Sequence, residues 1–472
     1  MLKTGLKTGL KSRLTGCLRS GLTLGLVATL FLLGTQANAS VSRFELDNGM
    51  QVLVKVDHRA PVAVQQVWYR VGATYEYGGI TGLSHMLEHM MFKGTKTLPP
   101  GEFSKRVSEL GGEDNAFTSS DYTAYYQVVG QQNLEKVMAL ESDRMRNLVI
   151  DEAEFQKERD VVTEERRWRV EDQPSSKLYE LFRATAYVNS GKHHPVIGWI
   201  SDIRAYTVDD LRSWYQQWYA PNNATLVVVG DVDPQQVYQW AKQYYGVHTP
   251  ETITPPKPRL EIAQEGERRI QLKGATKSPS LVMGFHVPSL VTTDNDSEVY
   301  ALSVLSSVLA GSDSARLPRE LVRGSKVAVS AGAGYDETSR LESLFTLNIT
   351  PSEGKTLDEA EAALWSQIEQ LQQQPISQQE LERVLAQSEA QYVFHQDSIQ
   401  AQAMILGSLV SVGLPIETYD HWVESLRKVT PQSVQAVAQK YLTRDKVTVA
   451  SLLPNGETAT PQTMPEMHGG IR

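Results

Sequence analysis

The sequence predicts an α+β protein with two homologous domains, each a mostly antiparallel β-sheet packed with α-helices. Three observations support this fold class. Segments typical of strands alternate with segments typical of amphipathic helices along the chain. A proline-rich segment at residues 249–258, near the midpoint, is typical of a stiff linker. The second half of the chain then repeats the order of patterns found in the first half.

The first 39 residues are typical of a secretory signal peptide. Basic residues precede an apolar run at residues 22–33, and Ala37-Asn38-Ala39 supplies small residues for cleavage near Ala39-Ser40. The apolar run is too short for a stable membrane span. We therefore expect an exported protein in the periplasm of a Gram-negative bacterium. Cys17 is the only cysteine, so the mature chain could form no disulfide.

The net charge limits the choice of partners. Cleavage removes five basic residues and no acidic ones, which changes the formal charge from −9 to −14. A chain this acidic has no electrostatic attraction to nucleic acid or to anionic lipid, so we expect neither as a partner. A partner steered by charge should be basic. The alternative, that the acidity serves only solubility, is equally open.

The first half contains signals for a sheet with helices packed on it. Asp47-Asn48-Gly49 interrupts an alternating segment at residues 44–55, which predicts a hairpin. Asp151 caps a long predicted helix, with Glu154 in the capping-box position, and Pro174 should end or kink that helix. The other predicted strands lie at residues 62–71 and 224–229, with a pair of strands over residues 115–129, and the other helices lie at residues 102–110, 134–148 and 207–219.

Three alignments relate the two halves of the chain. Residues 83–89 align with 302–308, residues 150–154 with 376–380, and residues 207–226 with 430–449, at offsets of 219, 226 and 223 residues. Such similar offsets indicate a duplicated domain with small insertions. The predicted organisation is a signal peptide (1–39), an N-terminal domain (40–248), a proline-rich linker (249–262), a homologous C-terminal domain (263–456) and a loose tail (457–472).

His85, Glu88 and His89 form a His-x-x-Glu-His motif in a segment predicted to be helical. On a helix the two histidines lie one turn apart on the same face, with Glu88 beside them. Two neutral imidazoles can ligate zinc, and the carboxylate can accept a proton from water. This order of residues is the signature of the inverzincins. The alternative, two incidental histidines and a glutamate, stays open until a third ligand is identified.

A catalytic zinc site needs a third protein ligand and an open position. The long predicted helix offers Glu158, Glu164 and Glu165. Glu158 lies two turns before Glu165 on the same helical face, whereas Glu164 points about 100° away from Glu165 and suits a surface pair with Arg167. The second copy could fold alike without binding zinc, because the aligned positions carry apolar or small residues: Val304, Ser307 and Val308.

With these motifs the chain resembles the pitrilysin/insulysin family of zinc metallopeptidases, and in particular its short bacterial processing-peptidase-like members. That family pairs His-x-x-Glu-His with a downstream glutamate in a Glu-Arg-x-Val-x-x-x-Glu pattern. Residues 158–165 fit the pattern, and Glu165 lies 76 residues after His89. The resemblance implies one zinc ion per chain, held by the two motif histidines and Glu165. We expect Glu88 to act as the general base and Glu158, two turns before Glu165 on the same helical face, to orient a ligating histidine.

The resemblance also implies substrate contacts at Asn115, Ala116 and Arg316. The segment containing Asn115 and Ala116 resembles the strand beside the family's active site, whose exposed edge pairs with an extended substrate. A plain turn and strand, with Asn115 as a cap, is the alternative. Arg316 lies in a segment that matches a substrate-binding arginine of the family, but Val329 stands where the family has a tyrosine. A surface arginine in a misaligned segment is equally open.

The function implied by the resemblance is that of an exported zinc metalloendopeptidase, which hydrolyses peptides or unfolded short proteins with a zinc-activated water. Two such chains would close as a clamshell around a chamber that excludes folded proteins. The expected partners are the peptide substrate and a second chain, either in a homodimer or in a heterodimer whose related subunit supplies the Arg/Tyr pair. The alternative is a non-catalytic peptide-binding or assembly subunit, because the family includes members that lack the metal.

Overall fold

The computed structural model describes residues 41–457. The predicted signal peptide lies outside the described residues, as does all of the predicted tail except residue 457. Within the described range, no helix combines the length and the apolar character that a membrane span requires.

The first half of the described chain forms one sheet and its helices. Its strands are β1 (Ser42–Glu45), β2 (Gln51–Val56), β3 (Val62–Tyr69), β4 (Glu113–Thr118), β5 (Thr123–Gly130) and β6 (Ala224–Gly230). Its α-helices are α1 (Leu83–Met90), α2 (Glu102–Glu109), α3 (Leu134–Asn147), α4 (Glu152–Arg166), α5 (Pro174–Ala186), α6 (Ile200–Ala205), α7 (Val208–Trp218) and α8 (Pro234–Tyr244).

The second half forms another sheet with its own helices. Its strands are β7 (Arg268–Gly274), β8 (Ser280–Val287), β9 (Ala328–Gly334), β10 (Ser343–Pro351) and β11 (Val447–Pro454). Its α-helices are α9 (Asp296–Ala310), α10 (Leu357–Gln373), α11 (Gln378–Gln396), α12 (Ile399–Val412), α13 (Glu417–Asp420), α14 (Trp422–Arg427) and α15 (Pro431–Tyr441). Residues 249–262, the predicted linker, form neither helix nor strand.

The two sheets have equivalent topologies. The first has the strand order β1-β2-β6-β3-β5-β4 and the second the order β7-β11-β8-β10-β9. Each contains one parallel pair, β2 with β6 and β7 with β11, while its other neighbours are antiparallel. Every strand of the second sheet therefore has a counterpart in the first, and only β1 has none. The predicted α+β fold class is confirmed, and the shared strand order supports the predicted duplication.

The equivalent helices α7 and α15 begin with the same type of capping residue. Thr207 caps the helix before β6 and Thr430 caps the helix before β11, each in a reciprocal capping box. Pro174 does not interrupt the long helix from within, because α4 ends at Arg166 and a π-helical turn, Arg167–Glu171, follows it. Pro174 is instead the first residue of α5, where proline lacks only an N–H that would have no helical partner.

Each half contributes one helix to the sheet of the other half. Helix α5 packs on β11, β7 and β8 of the second sheet, and α12 packs on β6 and β3 of the first. Helices thus cover both faces of β6, and all of its residues are buried. Because α5 follows α4 and α12 follows α11, the exchanged helices occupy corresponding places in the two copies. The two halves are therefore held together through their hydrophobic cores.

Both exchanged helices approach the opposite sheet through a glycine contact. A Cβ atom added to Gly407 of α12 would lie 2.0 Å from the Trp68 ring of β3. A Cβ atom added to Gly284 of β8 would lie 2.4 Å from the Phe182 ring of α5. Trp68 and Phe182 are fully buried, so neither ring can move into solvent to make room.

We predict that Gly407→Ala destabilises the protein by about 1–3 kcal/mol, because the new methyl group overpacks the contact with Trp68. In an unconstrained helix the same change would be stabilising by up to about 1 kcal/mol. Denaturant unfolding of the two proteins measures the difference. Gly78→Ala is the control, because a Cβ atom there meets nothing within 4 Å. A Gly407→Ala protein as stable as the wild type would contradict the proposed packing.

Candidate functional site

Helix α1 carries the His-x-x-Glu-His motif, and backbone contacts fix where it begins. Gly82 precedes the helix with a φ of +87°, and a Cβ atom there would lie 2.3 Å from the carbonyl oxygen of Ile197. Glu76 caps the helix from outside, since its carboxylate accepts hydrogen bonds from the N–H groups of Gly82 (2.6 Å) and Ser84 (2.7 Å). A carboxylate at this end also interacts favourably with the helix dipole.

His85, His89 and Glu165 meet where α1 packs against α4. Oε2 of Glu165 lies 3.2 Å from Nε2 of His89 and 3.7 Å from Nε2 of His85. The three residues each offer one ligand atom, and these atoms lie within 4.8 Å of one another. All three side chains are buried. The structure therefore brings the three predicted metal ligands together from two separate helices.

These donor atoms fit a zinc ion. Ligands about 2.0–2.2 Å from zinc in a tetrahedral site are roughly 3.4 Å apart, and the distances from Glu165 to the two histidines are similar. Imidazole nitrogen and carboxylate oxygen are common zinc donors. Nε2 of His89 and Oε2 of Glu165 are buried without a hydrogen-bond partner among the described residues. Buried polar atoms are unfavourable unless they bind something, so both atoms are suited to a metal.

Glu158 lies on the other side of His89. Its Oε1 accepts a hydrogen bond from Nδ1 of His89 at 3.0 Å, and its Oε2 lies 2.6 Å from Nζ of Lys93. A carboxylate at Nδ1 fixes the proton there and leaves Nε2 with its lone pair toward the metal position. This is the arrangement expected if Glu158 orients a ligating histidine.

Glu88 lies beside the cluster and is almost fully buried. Its Oε2 accepts a hydrogen bond from the hydroxyl of Thr118, the last residue of β4. Burial raises the pKa of Glu88, against the hydrogen bond from Thr118, which lowers it. A carboxylate with a raised pKa is the better proton acceptor, because its pKa is closer to neutral pH.

The three clustered side chains differ in their affinity for protons. Burial and the neighbouring His89 lower the pKa of His85 to about 3. Burial would also lower the pKa of His89, but the hydrogen bond to Glu158 and the nearby carboxylate of Glu165 raise it to about 9. Burial would raise the pKa of Glu165, but His89 and the charge of His85 lower it to about 2. A metal must therefore displace a proton from His89, so metal affinity should fall at low pH.

A cavity of about 410 Å³ opens beside His85 and Glu88. Its walls are the end of β4, one face of α5, the π-helical turn after α4, and residues 193–197. Asn115 and Ala116 lie on β4, which pairs only with β5 among the described strands and is an edge strand. Ala116 lines the cavity itself. The strand edge that is predicted to receive substrate thus runs into the cavity beside the three predicted metal ligands.

The structure places the other predicted substrate residue elsewhere. Arg316 makes a bidentate ion pair with Glu380 in the second half, with both N–O distances at 2.8 Å. Val329 is exposed on the edge strand β9. Tyr335 is the first tyrosine after Val329, and its hydroxyl donates to the carbonyl oxygen of Pro288 at 2.5 Å. None of Arg316, Val329 and Tyr335 is among the described residues that line the cavity beside Glu88.

Three residues at the site have roles that the sequence motifs do not predict. Arg169 follows Glu165 by four residues, a spacing that places both on one helical face and could have indicated the contact. Thr118 belongs to the same segment as Asn115, but its hydrogen bond to Glu88 depends on how β4 meets α1. Glu76 lies in a loop without periodicity, so no sequence signal pointed to its role as a cap.

The comparisons with known proteins identify the family to which this fold belongs. A family model described as "Insulinase (Peptidase family M16)" matches residues 51–198, and one described as "Peptidase M16 inactive domain" matches residues 205–388. The zinc protease PqqE of Helicobacter pylori is 33% identical over 357 residues, which cover 75% of this chain and 79% of the relative. An uncharacterized zinc protease of Bacillus subtilis, YmxG, is 26% identical over 88% of this chain and 99% of its own length.

Two solved structures of proteases are similar in fold to this chain. A protease from Helicobacter pylori superimposes with a TM-score of 0.84 at 29% identity, covering 88% of this chain and all of that chain. The periplasmic protease PqqL of Escherichia coli shares the fold, with a TM-score of 0.74 at 21% identity over 88% of this chain and 48% of that chain. The chain belongs to peptidase family M16, the pitrilysin/insulysin family, and the expected resemblance is confirmed. Its relatives are named zinc proteases, which supports zinc dependence in the family.

We predict that Glu158→Gln lowers zinc affinity by about 10- to 100-fold, because the amide no longer fixes the Nδ1 proton of His89 as a carboxylate does. Competition with a chromogenic chelator measures the affinity. Glu164→Gln is the matched control, since Glu164 is on the same helix but exposed and paired with Arg167. Equal affinities for the two variants would show that Glu158 does not support the site.

A pH-dependent contribution to stability is expected from Glu76. Burial raises the pKa of Glu76 to about 7, against the hydrogen bonds from Ser84 and Gly82. Because the folded-state pKa lies above the unfolded one, its stabilising contribution is complete below about pH 4.5 and is lost as the pH rises through 7.

We predict that the stability advantage of the wild type over Glu76→Gln decreases by roughly 3 kcal/mol from pH 5 to pH 8. Denaturant titrations of both proteins, kept metal-free by a chelator, measure this difference at each pH. The glutamine variant lacks the titrating group and so serves as the reference at every pH. A difference that stays constant over this range would contradict the predicted titration of Glu76.

Proposed function

We propose that this chain is an exported zinc-dependent endopeptidase that hydrolyses peptides or unfolded short proteins. The observation that carries the proposal is the buried cluster of His85, His89 and Glu165, within 4.8 Å of one another and beside Glu88, at the wall of a cavity. One zinc ion per chain fits these donors. The relatives' name, zinc protease, supports the same activity.

When bound at the cluster, zinc would supply a Lewis acid that polarises the scissile carbonyl and makes water more acidic. Glu88 is placed to take the water proton on its carboxylate and later to deliver it to the leaving amine. Thr118 holds Oε2 of Glu88 in place. Glu158 holds Nδ1 of His89, so that the imidazole presents Nε2 to the cluster.

The edge of β4 is the proposed binding surface for the substrate main chain. An extended peptide added to this edge would bond through its backbone groups, which supports affinity without a strict sequence preference. Ala116 and Thr118 carry the edge into the cavity beside Glu88. A folded protein offers no free strand to this edge, so the proposed substrates are peptides and unfolded chains.

A second subunit is proposed to complete the substrate site. Arg316 is already engaged by Glu380, and Val329 offers no polar group, so neither position of the family's Arg/Tyr pair contributes to the described cavity. We propose a homodimer, or a heterodimer with a related subunit. The proposed periplasmic location is supported by the signal-peptide pattern and by PqqL, a periplasmic protease of the same fold.

We predict that Glu88→Gln retains zinc but loses peptidase activity by about 10²- to 10⁴-fold, because it cannot accept the proton. Metal analysis and cleavage of an unstructured peptide, with and without chelator, measure both properties. Glu109→Gln, an exposed change at the end of α2, is the control. Activity within about tenfold of the wild type would contradict the role of Glu88, since it corresponds to only about 1.4 kcal/mol in the barrier.

The same measurements on the wild type distinguish the alternative function. A chain that binds no zinc and cleaves no peptide, yet retains peptide affinity, would be a non-catalytic binding subunit.

A further inference from the structure

Arg169 lies between the cluster of predicted metal ligands and the cavity, on the π-helical turn after α4. Its Nη1 is 2.7 Å from Oε1 of Glu165. The other carboxylate oxygen, Oε2, is the one that faces the two histidines. The two oxygens of Glu165 therefore contact different groups: one the guanidinium and the other the cluster.

The exposures of the two side chains show which one meets solvent. Glu165 is 1% exposed and Arg169 is 45% exposed. The guanidinium thus covers the carboxylate on the cavity side. The four-residue spacing keeps both on one face of the helix, so the contact follows from local geometry.

We propose that Arg169 is a positioning residue, which holds Oε1 of Glu165 so that only Oε2 reaches a metal ion at the cluster. This inference rests on the proposed zinc function. Carboxylates bind metals through one oxygen or through two. A second bond from Glu165 would occupy a position that a catalytic zinc site keeps open for water and substrate. The ion pair with Arg169 opposes that second bond, because it holds Oε1 beside the guanidinium.

Two other roles for Arg169 make different predictions. A residue that contacts substrate would raise KM when removed. A residue that only stabilises the π-helical turn would leave the geometry of the bound metal unchanged. Metal affinity alone does not separate these roles, because removing a positive charge near the cluster favours a cation while loss of orientation disfavours it.

The chain offers a closely matched control for Arg169. Arg167 lies on the same turn, is 52% exposed, and pairs with Glu164 at 2.9 Å. Glu164 is exposed and is not part of the cluster. A change at Arg167 therefore removes the same type of side chain and the same type of ion pair without touching Glu165.

The test uses the full-length protein with cobalt(II) in place of zinc. Four-coordinate cobalt(II) absorbs visible light more strongly than five-coordinate cobalt(II), so the spectrum reports an added ligand. We expect Arg169→Met to weaken the absorption, to lower kcat by about 10- to 100-fold and to change KM by less than about threefold. Arg169→Lys should restore most of the absorption, and Arg167→Met should match the wild type. Circular dichroism checks that each variant is folded.

An Arg169→Met protein with the wild-type cobalt spectrum would overturn the proposal, as would a rise in KM at unchanged kcat. If the methionine variant does not fold, the lysine variant and Arg169→Gln decide by the same spectral comparison. A wild type that binds no cobalt would remove the proposed zinc function together with this inference. A wild type that binds cobalt but cleaves no peptide would contradict only the enzymatic function, because the spectra of the variants still test Arg169.

Discussion

The candidate site depends on the burial of several charged side chains at the contact between α1 and α4. Glu88, Glu158 and Glu165 are nearly inaccessible, and an unpaired buried charge is unfavourable by several kcal/mol. Glu158 is stabilised within the chain by Lys93. The Glu165 oxygen that faces the histidines has no such partner, and it needs either a proton on an imidazole or a cation between the three side chains. A zinc ion would place two positive charges at that point, so an arrangement that is unfavourable by itself would favour metal uptake.

The rest of the fold holds these two helices in place. The cap from Glu76 and the close backbone approach at Gly82 fix the start of α1, and the exchanged helices α5 and α12 tie the two sheets together. The duplicated half has the same strand order, yet buried Val304 and Val308 stand at the histidine positions. The equivalent helix of the second half is thus packed through apolar side chains and needs no metal at these positions. The fold consequently does not require the polar residues His85, Glu88 and His89 in α1, which supports a functional reason for their presence.

Much of this organisation could be predicted from the sequence, because it depends on local signals. The motif spacing placed His85 and His89 on one helical face, the capping residues located the long helices, and the repeated patterns indicated two similar halves. Contacts between distant segments could not be predicted in this way. Glycine positions gave no indication that α5 and α12 exchange sheets, and the pairing of Arg316 with Glu380 depends on how two elements of the second half pack. The third ligand, Glu165, came from a family resemblance, since helical spacing alone left Glu158 and Glu164 open.

We propose that α1 and α4 together form one zinc site. Anomalous diffraction at the zinc absorption edge, from crystals of the purified full-length protein, tests it most directly. We predict a single strong peak per chain, bound by Nε2 of His85, Nε2 of His89 and Oε2 of Glu165. Absence of a peak from zinc-supplemented crystals, or a peak bound by other residues, would contradict this account.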